Sequence, residues 1–136
     1  MMKRYAWMHL WALTGLTVMA LWVPPLMAAT PESELQRWQQ AAGQPGDAAK
    51  GKAFFGQRHG GEWSCASCHG QPPNTDSRHA STGKTLGALA PAFNATRLTD
   101  SAKVDKWFKR NCKDVLAREC TALEKANVLA YLVSLK

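Results

Sequence analysis

Cys65-Ala66-Ser67-Cys68-His69 leaves this chain few choices of fold. Two thiols three residues apart can add across the two vinyl groups of a single haem. A histidine directly after the second thiol then falls under the iron as its proximal ligand. A chain with that motif must build its core around a flat apolar disc hung from one short segment. Two other chemistries use paired cysteines. A thioredoxin-like redox pair sits where a strand runs into a helix, and no alternating strand pattern precedes Cys65. A zinc site needs a second ligand pair at matching spacing, and the remaining cysteines and histidines are scattered. The motif is therefore read as the attachment site of one covalent haem c, with Cys65 and Cys68 as thioethers and His69 on the iron.

The front of the chain fits an exported protein. Lys3 and Arg4 form a positive start, Tyr5 to Val23 an apolar run, and Pro24-Pro25 a break. Leu26-Met27-Ala28-Ala29 then offers small residues for cleavage. Residues 1–28 are expected to be a secretory signal and the protein periplasmic. The residue three back from either alanine is large and the run is near bilayer length, so an uncleaved membrane anchor is the alternative. Without this segment fifteen basic residues remain against ten acidic ones, a net charge of +5. Such a surface suits an acidic redox partner or an anionic membrane face. No long charge run or aromatic platform points to nucleic acid. About 108 residues build only a modest apolar core, so the haem is expected to form a large part of it.

Residues 29–46 read as an N-terminal helical extension and 47–136 as the haem domain. Thr30-Pro31-Glu32-Ser33 has helix-start chemistry, and Glu34 to Ala42 reads as a short helix with Leu35, Trp38 and Ala42 on one side. Gly43-Gln44-Pro45-Gly46 makes a turn. Asp47 caps a second helix running to about Arg58. Gly51 inside it costs about 1 kcal/mol relative to alanine, which a close helix crossing would offset; the alternative is a tolerated surface glycine. Residues 70–97 show no sustained period and are expected to wrap the haem edge. Arg78 and Lys84, with His79 and Thr82, are candidate propionate contacts, Arg78 having the bidentate fork. Each is equally well read as a solvated loop residue.

Thr99-Asp100 caps a third helix ending around Asn111, with Val104, Trp107 and Phe108 apolar and Lys103, Lys106, Lys109 and Arg110 wet. The wet side is a solvated face that also suits steering of a partner. Thr121-Ala122-Leu123-Glu124 is a capping box opening the last helix, whose Leu123, Val128, Leu129, Tyr131, Leu132 and Leu135 are apolar. The sum is an all-α fold without strands, four to five helices around one covalently bound haem. It resembles the small class I-like cytochromes c, in which helices from the two ends of the chain cross, and that resemblance implies Gly51 packed against Tyr131.

The sixth iron ligand is the open question. All five methionines, Met1, Met2, Met8, Met19 and Met27, lie in the signal segment, so the mature chain lacks the thioether that most small electron carriers use. His59, His79, a weaker oxygen or nitrogen donor, water or nothing remain. His59 and His79 each lie ten residues from His69, too short a tether to round the disc easily. A segment from the C-terminal half reaches the far face more naturally, and Asn111-Cys112 followed by Cys120 stands out there. In an oxidising compartment Cys112 and Cys120 are expected to pair, stabilising by about 2–3 kcal/mol and pinning the backbone beside Asn111. Asn111 is alternatively a plain helix-end residue.

Lys106-Trp107-Phe108-Lys109-Arg110-Asn111-Cys112 and Cys120-Thr121-Ala122-Leu123-Glu124-Lys125 resemble the sphaeroides haem protein family of oxygen-binding monohaem cytochromes c. Arg78-His79-Ala80-x-Thr82-Gly83-Lys84 and Ala90-Pro91-x-x-Asn94 are similar too, so the likeness spans most of residues 47–136. The resemblance implies that Asn111, directly before the disulfide cysteine, is the sixth ligand of the ferric haem. A related cytochrome carries histidine there. It also implies a dihaem cytochrome c and a membrane cytochrome b as redox partners. A neutral amide is a weak donor to ferric iron and a poorer one to ferrous iron. Reduction is then expected to release Asn111 and open the site to O2, NO or CO. The competing expectation is a low-potential electron carrier with His79 as a permanent sixth ligand. No second catalytic group stands beside the motif, so no enzymatic turnover is assigned, and a monomer is expected.

Overall fold

Every helix begins on a side chain that closes its free amides. The computed structural model describes residues 28–136, and the expected signal lies outside them apart from Ala28. Thr30 and Ser33 form a reciprocal capping box, and Pro31 occupies the first turn. The first helix, α1 (Pro31–Ala42), therefore starts ahead of the expected Glu34. Asp47 accepts the amides of Ala49 and Lys50 to open α2 (Ala48–Gly56), which ends two residues before the expected Arg58. Ser64 and Ser67 make a second capping box on α3 (Cys65–His69), so the haem motif is itself a helical turn. Asp100 caps α4 (Ser101–Leu116), and Thr121 with Glu124 caps α5 (Ala122–Ser134).

The helical reading holds with one exception. Ser77–Arg78 (β1) and Thr85–Leu86 (β2) pair antiparallel, Ser77 opposite Leu86 and Arg78 opposite Thr85, where no strand was expected. Two residues per strand are too few to show alternation in a sequence. No helix among the described residues is long and apolar enough to cross a membrane.

The core forms where α5 lies on α2 and α1. Phe55, Val128, Tyr131 and Leu132 make its centre, with Phe54, Cys65, Leu89, Leu98 and Phe108 against them. Gly51 meets α5 backbone to backbone. A Cβ there would collide with the Asn127 carbonyl and stand 3.0 Å from the Cβ of Tyr131. Gly46 makes a similar approach to the Ala126 carbonyl. The side chain of Asn127 completes the register, its Oδ1 accepting the Asp47 amide at 2.8 Å. The expected Gly51–Tyr131 crossing is present and extends to the preceding turn.

The third long helix departs from expectation. It runs through Asn111 and Cys112 to Leu116 and closes on Ala117, which takes the left-handed conformation at φ 56°. Asn111 is thus an interior residue of α4. Trp107, expected to pack inward, is 47% exposed. Side chains fasten α4 to α1: Glu34 to Ser101, Arg37 to Asp105, and Trp38 edge-on to Phe108 with centroids 6.3 Å apart.

The cap of α5 has a consequence for acid stability. Arg118 clamps Glu124 at 2.7 and 2.8 Å, and the Thr121 amide donates to the same carboxylate. The guanidinium, then the amide, pull its carboxyl down to about 2. A carboxyl depressed on folding contributes stability above its unfolded value near 4.5, and that contribution is lost as pH falls from there through about 2. Glu124→Gln is expected to flatten the loss of thermal stability between pH 4.5 and 2 and to lower stability at pH 7. Melting curves across that range check it, and an unchanged acid slope counts against the clamp.

Candidate haem site

α3 puts Cys65, Cys68 and His69 at offsets of three and four, hence on one face of a single turn. Both thiols are unpaired and half-buried. Burial, with a small contribution from Cys68, pushes the Cys65 thiol up to about 11. The Cys68 sulfur accepts the Ala80 amide at 3.3 Å, and its carbonyl accepts the Ser77 hydroxyl at 2.7 Å, tying the β1–β2 ribbon to the motif. His69 leans on Phe55 with centroids 6.3 Å apart, and Phe55 on Tyr131 at 5.7 Å. The motif is thereby seated on the α2–α5 core.

The donor set fits a haem. Among the described histidines only His69 has no hydrogen bond on its ring, and its Nδ1 is buried without a partner. His59 Nε2 lies 2.9 Å from the Phe54 carbonyl, and His79 Nδ1 accepts the amides of Ser81 and Thr82. Burial first, then the charges of Arg97 and His79, push the His69 imidazole down to about 4. It is neutral at pH 7, the form with a lone pair for a metal. Phe93 and Trp107 are large apolar side chains left 46% and 47% exposed.

Beyond the short β1–β2 ladder, the long segment after His69 is knitted by isolated backbone and side-chain bonds. Leu89 and Ala90 amides share the Pro73 carbonyl at 3.0 Å, and Asp76 accepts the Ala88 amide. Arg97 donates to the Ala88 and Gly87 carbonyls at 2.9 and 2.8 Å. Arg97 was not singled out in the sequence, where it resembles any loop cation. It is half-buried, its charge reaches His69, and its Nη1 has no partner among the described residues, so it suits a propionate. Arg78, in β1, and Lys84, just before β2, are exposed, and Arg78 donates to the Gly83 carbonyl at 3.3 Å.

Cys112 and Cys120 are joined, Cα to Cα 5.6 Å, linking α4 to the start of α5. Asn111 is half-buried on the neighbouring flank of α4, and its side chain bonds to no described residue. One turn further on, the Val115 carbonyl borders Gly61, close enough that a Cβ there would sit 3.4 Å away. The Asn111 flank thus adjoins the segment that leads into Cys65.

Residues 41–132 match the family described as a domain of unknown function, DUF1924. The cytochrome c-type protein SHP of Cereibacter sphaeroides is 41% identical over 109 residues, 77% of this chain and 84% of SHP. Cytochrome c'' of Methylophilus methylotrophus is 41% identical over 88 residues, 62% of this chain and 61% of that protein. The structure of oxidised SHP, described as an oxygen-binding cytochrome c, superposes with a TM-score of 0.73 at 39% identity, covering 79% of this chain and 99% of SHP. Oxidised cytochrome c'' gives 0.69 at 33% identity, with 76% and 93% covered. Five helices, one of them the Cys65-x-x-Cys68-His69 turn, define a monohaem c-type cytochrome, with haem c as its cofactor. Within that class, the chain belongs to the sphaeroides haem protein family.

Proposed function

We propose that this protein is a periplasmic redox haem protein with His69 and, in the ferric state, Asn111 as axial ligands. Asn111 leaves on reduction and so admits O2, NO or CO. The observation that carries the reading is the uncommitted amide of Asn111, half-buried on α4 in a chain with no methionine after residue 27. Bound haem supplies one-electron chemistry and, with one axial seat open, a place for a diatomic ligand. His69 contributes a neutral imidazole held against Phe55. Asn111 contributes an amide oxygen suited to the ferric state, and its NH2 can donate a hydrogen bond into the seat once vacated. The disulfide keeps it near. The description of SHP as oxygen-binding supports a diatomic as ligand.

Lys103, Lys106, Lys109, Arg110 and Lys113 are exposed along α4, the helix that carries Asn111. That basic face suits an acidic redox partner such as a dihaem cytochrome c, which a membrane cytochrome b would serve in turn. Export on residues 1–28 belongs to the same reading, since haem attachment and the Cys112–Cys120 bond both call for an oxidising compartment.

Asn111→Ala is the test, in the haem-loaded protein. The ferric optical and EPR spectra are expected to change. The reduction potential should rise by about 59 mV for each factor of ten in lost ferric ligand affinity. CO should bind the reduced native protein readily. An unchanged ferric spectrum in Asn111→Ala, or native ferrous protein that stays low-spin and ignores CO, overturns the reading and leaves a plain carrier ligated by His79.

A further inference from the structure

Ser101, Asp105, Phe108 and Cys112 recur at intervals of four, three and four, one stripe along α4. Every member of that stripe is fastened. Ser101 bonds Glu34, Asp105 pairs with Arg37 at 2.6 Å, Phe108 meets Trp38, and Cys112 is joined to Cys120. The three partners on α1 are themselves spaced three and one apart, on one face of a helix that α5 packs against.

Glu34 is the centre of this fastening. It is 1% exposed, with Oε1 taking the Ser101 hydroxyl and Oε2 taking Arg37 Nε and Nη2 at 3.2 and 2.6 Å. Arg37 then reaches Asp105 through both terminal nitrogens. Arg37 and Lys125 also lie over the Trp38 ring, 4.6 and 4.0 Å from its centroid. An ionic network with one buried carboxylate and partly exposed partners contributes little net stability. What it does supply is a fixed geometry, here the height and rotation of α4 against α1.

Resting on the reading of Asn111 as the ferric ligand, we propose that Glu34, Arg37 and Trp38 are positioning residues for it. They hold α4 so that Asn111, on the flank beside the fastened stripe, presents its amide at a set distance and angle. Loosening α1 from α4 weakens the ferric bond and leaves the ferrous, Asn111-free state unaffected. The N-terminal helix thereby tunes the redox equilibrium of a site that it does not touch.

Glu34→Gln and Trp38→Leu in the haem-loaded chain test this, each alone and combined with Asn111→Ala. Each single variant is expected to move the ferric spectrum toward that of Asn111→Ala. Each should raise the potential, by about 59 mV where Asn111 binds tenfold more weakly. In the Asn111→Ala background the same substitutions should shift the potential no further. Equal shifts in both backgrounds would mean that Glu34 and Trp38 act on the haem by charge or general packing, and the proposal fails. It fails equally if folded single variants leave spectrum and potential unchanged. Should Glu34→Gln not fold, Arg37→Ala, at a side chain 37% exposed, carries the same test. If Asn111→Ala alone leaves the ferric spectrum native, the ligand assignment falls first. A native-like Glu34→Gln beside an altered Asn111→Ala sinks only the positioning role.

Discussion

Gly51→Ala is expected to lower the melting temperature of the haem-loaded protein by about 10–20 °C. Two effects of opposite sign decide the figure. Alanine is the better helix former by about 1 kcal/mol, which favours α2 on its own. Against this, the added Cβ runs into the Asn127 carbonyl, a backbone atom that cannot swing aside, and crowds Tyr131. Overpacking typically costs 1–3 kcal/mol, and a collision with main chain belongs at or above the top of that range. At about 4–8 °C per kcal/mol for a domain of this size, the loss is large. Melting followed by circular dichroism checks it. A variant as stable as the native chain would mean that α2 and α5 do not cross at Gly51.

Replacing both thiols, Cys65→Ser with Cys68→Ser, is expected to abolish covalent pigment altogether. Acidified acetone should extract all haem from the variant and none from the native protein. The reason lies in α3, where the two sulfurs and His69 share one face and no other described thiol is unpaired. Either single replacement leaves one sulfur and is expected to give a haem held by one thioether, visible as a shifted pyridine haemochrome band. Pigment resisting extraction in the double variant would dismiss the attachment site.

The parts of this molecule that a reader of the sequence can see are those in which one residue type is required at one spacing. The thioether motif is of that kind, as are the caps at Asp47, Asp100 and Thr121 and the glycine at 51, which pays for nothing unless another backbone is near. The end of α4 was not visible. Asn111 and Cys112 look like a helix terminus, and the true terminus at Ala117 takes a left-handed conformation without the glycine that would announce it. The β1–β2 ribbon is too short for a pattern, and its bonds go to the Cys68 carbonyl and sulfur, partners nine and twelve residues back that no local rule anticipates. Arg97 was hidden for a similar reason. Its value comes from two carbonyls and an imidazole that only the folded loop gathers. Trp107 misled because its position on the helix wheel borders the apolar side, whereas the side chain stands in the open.

The seating of α2 on α5 sets an order of events during biogenesis. Asp47 and Asn127, bonded across that seam, are 80 positions apart, so the seam cannot shut until most of the polypeptide has been released. The two reactive sulfurs lie in the stretch between. Once the seam shuts, Cys65 rests against the hydrophobic core with its thiol pushed up to about 11, a poor nucleophile at neutral pH. Thioether formation is therefore expected to be easier before closure, while both sulfurs are still open to solvent.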